Sequence, residues 1–277
     1  MADFVSRLNT LANRLWGLAP GAWSSLHDRD VRLVAHRGAH ADGIAIENTL
    51  AAFDLCLERG VWGVELDVQL TRDFEPVIHH DPHLGRLHGR PDLIIAEVDF
   101  ATLRKAAPGV PHLAEVVERY GGHMHLMLEI KESWRQRREV TDVVSRALAD
   151  LEPGADFHLL SLVPDHLEGF KLIPPSAYVD VAWLNPAETI AANRRLGHGG
   201  ISGSFVFLGP RRMRELRGEG KKIGTGFVEF GGALRREATR EVDWIFTDQI
   251  LRLQAHLAAV PNVHREQPSS DDPSKEQ

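Results

Sequence analysis

In Val64-Glu65-Leu66-Asp67-Val68 two acids stand two positions apart, so on a β-strand both carboxylates share one face. Two carboxylates this close in a low-dielectric interior repel each other. Either one takes up a proton or a cation sits between them. Glu129 is a third candidate, a lone acid near the end of the apolar run Leu126-Met127-Leu128-Glu129-Ile130-Lys131. Three carboxylates with no cysteine nearby make an all-oxygen site, which suits one divalent cation, Mg²⁺ or Ca²⁺, better than zinc. A structural reading stands beside this: Lys131 could simply pair with Glu129, and the other two acids could form salt bridges. His36 closes the run Val34-Ala35-His36, and His79-His80-Asp81 closes a short strand-like piece. A histidine at a strand end beside a cation can move protons near neutral pH. Arg37, next to His36, can hold a phosphate through a forked pair of hydrogen bonds. Any single one of the 15 histidines is ordinarily a packing or surface residue, and His83, His88, His123 and His125 read that way.

Positioning such residues takes a framework of strands that end on one side. Apolar runs of strand length occur at 31–35, 63–68, 125–130, 157–162, 177–183, 200–207, 222–228 and 244–247. Stretches with helical spacing lie between them, as at 49–59, 114–120, 140–151 and 187–196, and another follows at 251–259. Strands alternating with helices imply parallel pairing and right-handed crossovers. Eight repeats over roughly 230 residues predict a single-domain (β/α)₈ barrel of the TIM type, with a doubly wound sheet as the second choice. The connection from Leu70 to Met124 is too long for one crossover and predicts an insertion after strand 2, over the active-site face.

The barrel is expected over residues 31–259, preceded by an N-terminal segment 1–30 and followed by a disordered tail 260–277 rich in Pro, Ser, Asp and Glu. In the N-terminal segment Phe4, Leu8, Leu11, Leu15 and Leu18 recur at helical spacing with Trp16 beside them. The plain expectation is an extra amphipathic helix packed on the folded domain. The second reading is a peripheral membrane helix formed by residues 1–20. The chain has 277 residues, 32 Lys and Arg against 39 Asp and Glu, and a net charge of −7. Its 43% hydrophobic and 26% charged residues exclude a fibrous or wholly disordered protein. The acidic balance argues against nucleic acid as a partner. Cys56, the one cysteine, cannot form an internal disulfide. With no run of membrane-spanning length and no export signal, a cytoplasmic or membrane-peripheral location is expected.

Together these pieces resemble the glycerophosphodiester phosphodiesterases. The resemblance rests on His36-Arg37-Gly38, Glu47-Asn48-Thr49 with Ala52-Phe53, and Gly63-Val64-Glu65-Leu66-Asp67-Val68. It continues through Thr71-Arg72-Asp73, His80-Asp81, Leu128-Glu129-Ile130-Lys131 and Thr247-Asp248, from Val31 to about Leu257. It implies a (β/α)₈ barrel and an enzyme, a metal-dependent phosphoric diester hydrolase that releases glycerol 3-phosphate and an alcohol. By position it implies Glu65, Asp67 and Glu129 as ligands of one divalent cation and His36 and His80 as the general acid/base pair. His80 rather than His79 matches, because the family's histidine directly precedes the aspartate. Arg37 and Lys131 match the groups that contact phosphate, and Glu47 a residue that orients the site. A structural role for Glu47 and Asn48 at a helix N-terminus is the other reading of that pair.

In the implied reaction the glycerol hydroxyl beside the phosphate attacks first, giving a cyclic phosphate that water opens, and direct attack by water is the alternative. The expected partner is a small glycerophosphodiester or, as in a lysophospholipase D, a lysophospholipid. Three stretches depart from the pattern: Ile223-Gly224-Thr225-Gly226-Phe227 in the seventh strand, Leu160-Ser161-Leu162 in the fourth, and Gln249-Ile250 after Thr247-Asp248. They leave the acids and histidines untouched but alter the wall expected to hold the alcohol, where Phe227 or Trp183 could supply aromatic surface.

Overall fold

The computed structural model describes residues 2–21, 26 and 30–259. The expected tail at 260–277 lies outside them. Eight parallel strands form the barrel: β1 (Leu33–His36), β2 (Gly63–Leu70), β3 (His125–Ile130), β4 (Phe157–Ser161), β5 (Tyr178–Ala182), β6 (Gly200–Ser204), β7 (Lys222–Gly226) and β8 (Trp244–Thr247). Each pairs with the next, and β1 pairs with both β8 and β2, which closes the sheet into a (β/α)₈ barrel.

Both faces of β2 are buried, as a parallel barrel strand requires. Val64, Leu66 and Val68 face the helices, packing in one core with Phe53 and Cys56. The alternate residues Glu65 and Asp67 therefore face the lumen. Val34, Met127, Leu160, Val179, Trp244 and Phe246 fill that lumen. Register then does the positioning, since β1 sets His36 against Glu65 and β3 sets Glu129 against Asp67.

Helices follow the strands at Leu50–Glu58, Leu113–Tyr120, Glu139–Ala147, Pro186–Leu196, Pro210–Gly218, Gly231–Thr239 and Ile250–Ala258. No α-helix joins β4 to β5. Pro164, Pro174 and Pro175 fix the backbone and remove amide donors there, and only the 3₁₀ turns Pro164–Gly169 and Pro175–Ala177 form. The insertion after β2 returns as the strand Pro76–Ile78, antiparallel to the end of β2. It then builds a small core of its own from Val77, Leu84, Ile95, Leu103, Ala107 and Val110.

The N-terminal helix, Ala2–Trp16, packs on the barrel with Ala12 and Trp16 against its core. Its polar face meets the barrel, and Leu8, Leu11, Leu15 and Leu18 are 54–70% exposed. The physical reason is the loop after β7, whose backbone and acids need partners. Fully buried Asn13 donates to the Phe227 carbonyl and accepts from the Glu229 amide, both at 2.8 Å. Asn9 and Thr10 donate to the Glu229 carboxylate, and Trp16 Nε1 donates to Glu237. Leaving such buried groups unpaired would cost about 1–3 kcal/mol each.

Candidate active site

The site lies at the C-terminal ends of β1, β2 and β3, the end where barrel enzymes do chemistry. Strand alternation brings Glu65, Asp67 and Glu129 together, with one oxygen of each within 4.8 Å of the others. Two cations reach this cluster. Lys131 Nζ lies 2.5 Å from Glu129 and 2.7 Å from Asp67, and Arg37 Nε lies 3.2 Å from Asp67. Lys131 thus pairs with Glu129, as the structural reading anticipates, and bridges it to Asp67 as well.

Three acids against two bases leave one negative charge over. At about 4 Å and an effective dielectric near 20, each such repulsion is worth about 4 kcal/mol. Asp67 has the better share of the cations. Burial alone would raise its pKa, but Lys131 and Arg37 hold it well below the usual carboxylate range. Glu65 has the worse share. Burial, then Asp67 and Glu129, push its pKa well above the usual range. Its Oε1 is buried with no hydrogen-bond partner. A divalent cation would supply the missing charge and partner, so the residues present fit such an ion.

Both histidines are held by aspartates through Nδ1. His36 Nδ1 lies 2.7 Å from Asp248 Oδ1, and His80 Nδ1 lies 2.8 Å from Asp81 Oδ1. An aspartate at Nδ1 makes that nitrogen the N–H donor and leaves Nε2 for the site. His36 Nε2 accordingly faces Glu65 Oε2 at 3.8 Å. Phe227 packs edge-on against the His36 ring, centroids 4.6 Å apart, while Trp183 stands half exposed at the mouth. His79 is buried and its backbone amide donates to the Asp67 carbonyl, so of the adjacent pair His80 is the one in reach of solvent.

The loop after β1 is shaped by its backbone. Arg37 adopts φ +57° and Gly38 φ +80°. A Cβ on Gly38 would come within 2.9 Å of Ala52 and Phe53, so only glycine lets the helix Leu50–Glu58 close on this strand end. Glu47 is not the helix cap. Thr49 caps, accepting from the Ala52 amide. Glu47 instead accepts from Arg37 at 3.0 Å and from both terminal nitrogens of Arg86, which also binds Asp81. Although burial would raise it, the bonds to Arg86 and Arg37 lower the Glu47 pKa.

Three residues with no role in the site assigned from sequence also hold its parts. Asn48 donates to Asp67 Oδ2 at 2.7 Å, Asp248 holds His36, and Gln69 donates to the carbonyls of His79, His80 and Asp81. Asn48 and Asp248 stand inside short motifs and were findable there. Gln69 carries no such signal.

Known proteins resemble this chain in sequence and in fold. Residues 36–156 match the model of the glycerophosphoryl diester phosphodiesterase family. Glycerophosphodiester phosphodiesterase 1 of Rattus norvegicus is 40% identical over 91 residues, 31% of this chain and 26% of the relative. YhdW of Bacillus subtilis is 34% identical over 110 residues, 36% of this chain and 44% of the relative. The chain thus spans less than half the length of these curated relatives. Similarity of structure reaches further. The crystal structure of a glycerophosphodiester phosphodiesterase from Thermotoga maritima aligns with TM-score 0.70 and 27% identity, over 83% of this chain and 100% of that one. An Oleispira antarctica phosphodiesterase, solved with the product sn-glycerol-3-phosphate, shares the fold at TM-score 0.69 and 24% identity, over 82% of this chain and 97% of that one. The motifs, the barrel and these relatives agree in their likeness to the glycerophosphodiester phosphodiesterase family, whose model matches residues 36–156 of the chain.

Proposed function

We propose that the protein hydrolyses glycerophosphodiesters to glycerol 3-phosphate and an alcohol, using one divalent cation. The observation that carries this is the buried triad Glu65, Asp67 and Glu129, short of one positive charge and flanked by two histidines held through Nδ1. A phosphodiester is an anion, and the site without further positive charge would repel it. When bound, Mg²⁺ or Ca²⁺ would reverse that balance and stabilise the charge that grows on the phosphoryl oxygens. Glu65, Asp67 and Glu129 would hold the ion, and Asn48 would orient Asp67.

Arg37 supplies a forked donor for the phosphate, with Glu47 and Arg86 fixing its direction. Lys131 provides the second positive group. His36 and His80 act as a general acid/base pair through Nε2. One takes the proton from the attacking hydroxyl and the other gives one to the leaving alkoxide, each transfer contributing roughly 10²–10⁴-fold. The nucleophile on this reading is the glycerol hydroxyl beside the phosphate, so a cyclic phosphate forms and water then opens it. Trapping that cyclic phosphate in a single turnover supports this order, and its absence supports direct attack by water.

A lysophospholipase D activity is the second reading. It is favoured by apolar side chains exposed at the mouth, Trp183, Leu184 and Phe207 among them. One assay tests both. Release of glycerol 3-phosphate from glycerophosphocholine and glycerophosphoethanolamine, and of choline from lysophosphatidylcholine, is followed with Mg²⁺, Ca²⁺ and chelator. The first reading expects metal-dependent glycerol 3-phosphate. Choline release alone would favour the second, and no release with either metal would overturn both.

A further inference from the structure

The N-terminal helix is held by polar contacts and by Ala12 and Trp16 packed on the core, and its outward side exposes Leu8, Leu11 and Leu15, with Leu18 just past its end, by 54–70%. An apolar stripe left in water on an otherwise anchored helix marks a binding face. This stripe does not stand alone. Trp16 packs at a tilt against Phe205, ring centroids 5.2 Å apart, and the next two residues, Val206 and Phe207, are exposed at 47% and 37%. Trp183 and Leu184, exposed at 47% and 73%, directly follow the end of β5. Loops after barrel strands emerge at one face, so these tips and the helix border the same mouth that holds Glu65, Asp67 and Glu129.

Cations also border this face, in a protein whose net charge is −7. Arg14 is exposed on the N-terminal helix. The helix Pro210–Gly218 begins at the rim with Arg211, Arg212 and Arg214 and no acid in its first turn. Arg211 pairs with Glu215 one turn on, and Arg214 is exposed. Exposed leucines and tryptophan flanked by arginines are the pattern of a surface that rests on anionic lipid. There, apolar area supplies the binding and cations supply orientation.

We propose that the barrel mouth docks on an anionic lipid surface through the outward leucine stripe of the N-terminal helix and the apolar tips of the loops after β5 and β6. Docked in this way, the catalytic groups face the lipid headgroups directly, and a phosphodiester with a long acyl arm reaches the site without leaving the surface. The substrate side of this inference rests on the phosphodiesterase reading, whereas the docking itself does not. A second copy of the chain is the rival occupant of the stripe.

The test is flotation of the full chain with vesicles of phosphatidylcholine alone and with phosphatidylglycerol added. Wild type is expected to float with the mixed vesicles, more weakly with phosphatidylcholine, and less as salt rises. The triple variant Leu8→Ser, Leu11→Ser, Leu15→Ser is expected to lose on the order of a hundredfold or more in vesicle affinity. It should still hydrolyse soluble glycerophosphocholine at the wild-type rate, because the stripe touches none of the catalytic groups. Arg14→Glu with Arg214→Glu should lose the preference for anionic vesicles. Equal flotation of the triple variant and wild type would overturn the proposal. So would a wild type that ignores vesicles and sediments as a dimer that the triple variant dissolves. Vesicle binding without hydrolysis of any phosphodiester would support docking and sink the phosphodiesterase reading alone.

Discussion

At the closed end of the barrel, His125 and His158 lie 2.8 Å apart between the rings of Trp62 and Trp244. At the open end, Glu65, Asp67 and Glu129 lie equally deep. Both groups are buried and titratable, yet the two ends treat charge in opposite ways. His125 gives its Nδ1–H to the Ala155 carbonyl, so its Nε2 accepts from His158 Nδ1 and both imidazoles are neutral and paired. Burial lowers their pKa values to about 4 and about 3, the second helped by His125 and Lys222. The two imidazoles thus satisfy each other, as expected of a stability plug, while Trp244 Nε1 beside them is buried without a hydrogen-bond partner. The mouth keeps a carboxylate oxygen without a partner, on a Glu65 whose charged form is opposed by burial and by Asp67 and Glu129. A buried pair of titratable groups that satisfy each other holds the fold, and a buried acid cluster left with an unpaired oxygen is built to receive something.

Changes at the mouth should therefore stop the reaction while leaving the fold, and changes at the closed end should do the reverse. The largest effect is expected from Glu65→Ala and Asp67→Ala, which should bring activity down to that of the chelated wild type. Hydrolysis and bound metal are measured on the same samples. Next, His36→Ala and His80→Ala should each lower kcat by about 10²–10⁴-fold with metal still bound. Retention of activity within a few-fold in His80→Ala would remove it from the acid/base pair. Asp248→Asn should cost about tenfold or more in kcat, since it weakens the hold on the His36 ring without touching the ion. Metal affinity and KM should then stay near wild type.

The smallest effect on activity is expected at the closed end, where His158→Leu should change kcat/KM by less than about twofold. Its signature is in acid stability. The folded chain keeps both imidazoles neutral, while the unfolded chain protonates them near their ordinary value of about 6.5. Below that pH the unfolded state binds protons that the fold refuses, so stability falls as pH drops from about 6.5 towards 4. Each imidazole contributes about 1.4 kcal/mol per pH unit in that window and nothing above it. Denaturant unfolding at pH 7.5, 6 and 5 should show a slope shallower by that amount in His158→Leu. An unchanged slope would mean that His158 is protonated in the fold.

The same contrast explains what could be read from the sequence. All eight barrel strands correspond to apolar runs, because burial on both faces leaves few polar residues to break them. The spacing of Glu65 and Asp67 carries its own geometry, and the pairing of His80 with Asp81 separates it from His79. What stayed hidden depends on partners remote in the chain. The proline-rich passage between β4 and β5 has helical length without helical residues. The orientation of the N-terminal helix is set by a partner, the loop with Glu229, that lies more than 200 positions away. Apolar periodicity shows that a helix has two faces, and only the surface it meets decides which of them turns inward.

The central claim is that three acids and one ion make a single unit at the mouth. Isothermal titration of the chain with Mg²⁺ or Ca²⁺, in wild type and in Glu65→Gln, Asp67→Asn and Glu129→Gln, tests it most directly. The account predicts one ion per wild-type chain and weakened or absent binding in each of the three variants. Unaltered binding in all three variants, or no binding by wild type in a preparation that hydrolyses its substrate in chelator, would contradict it.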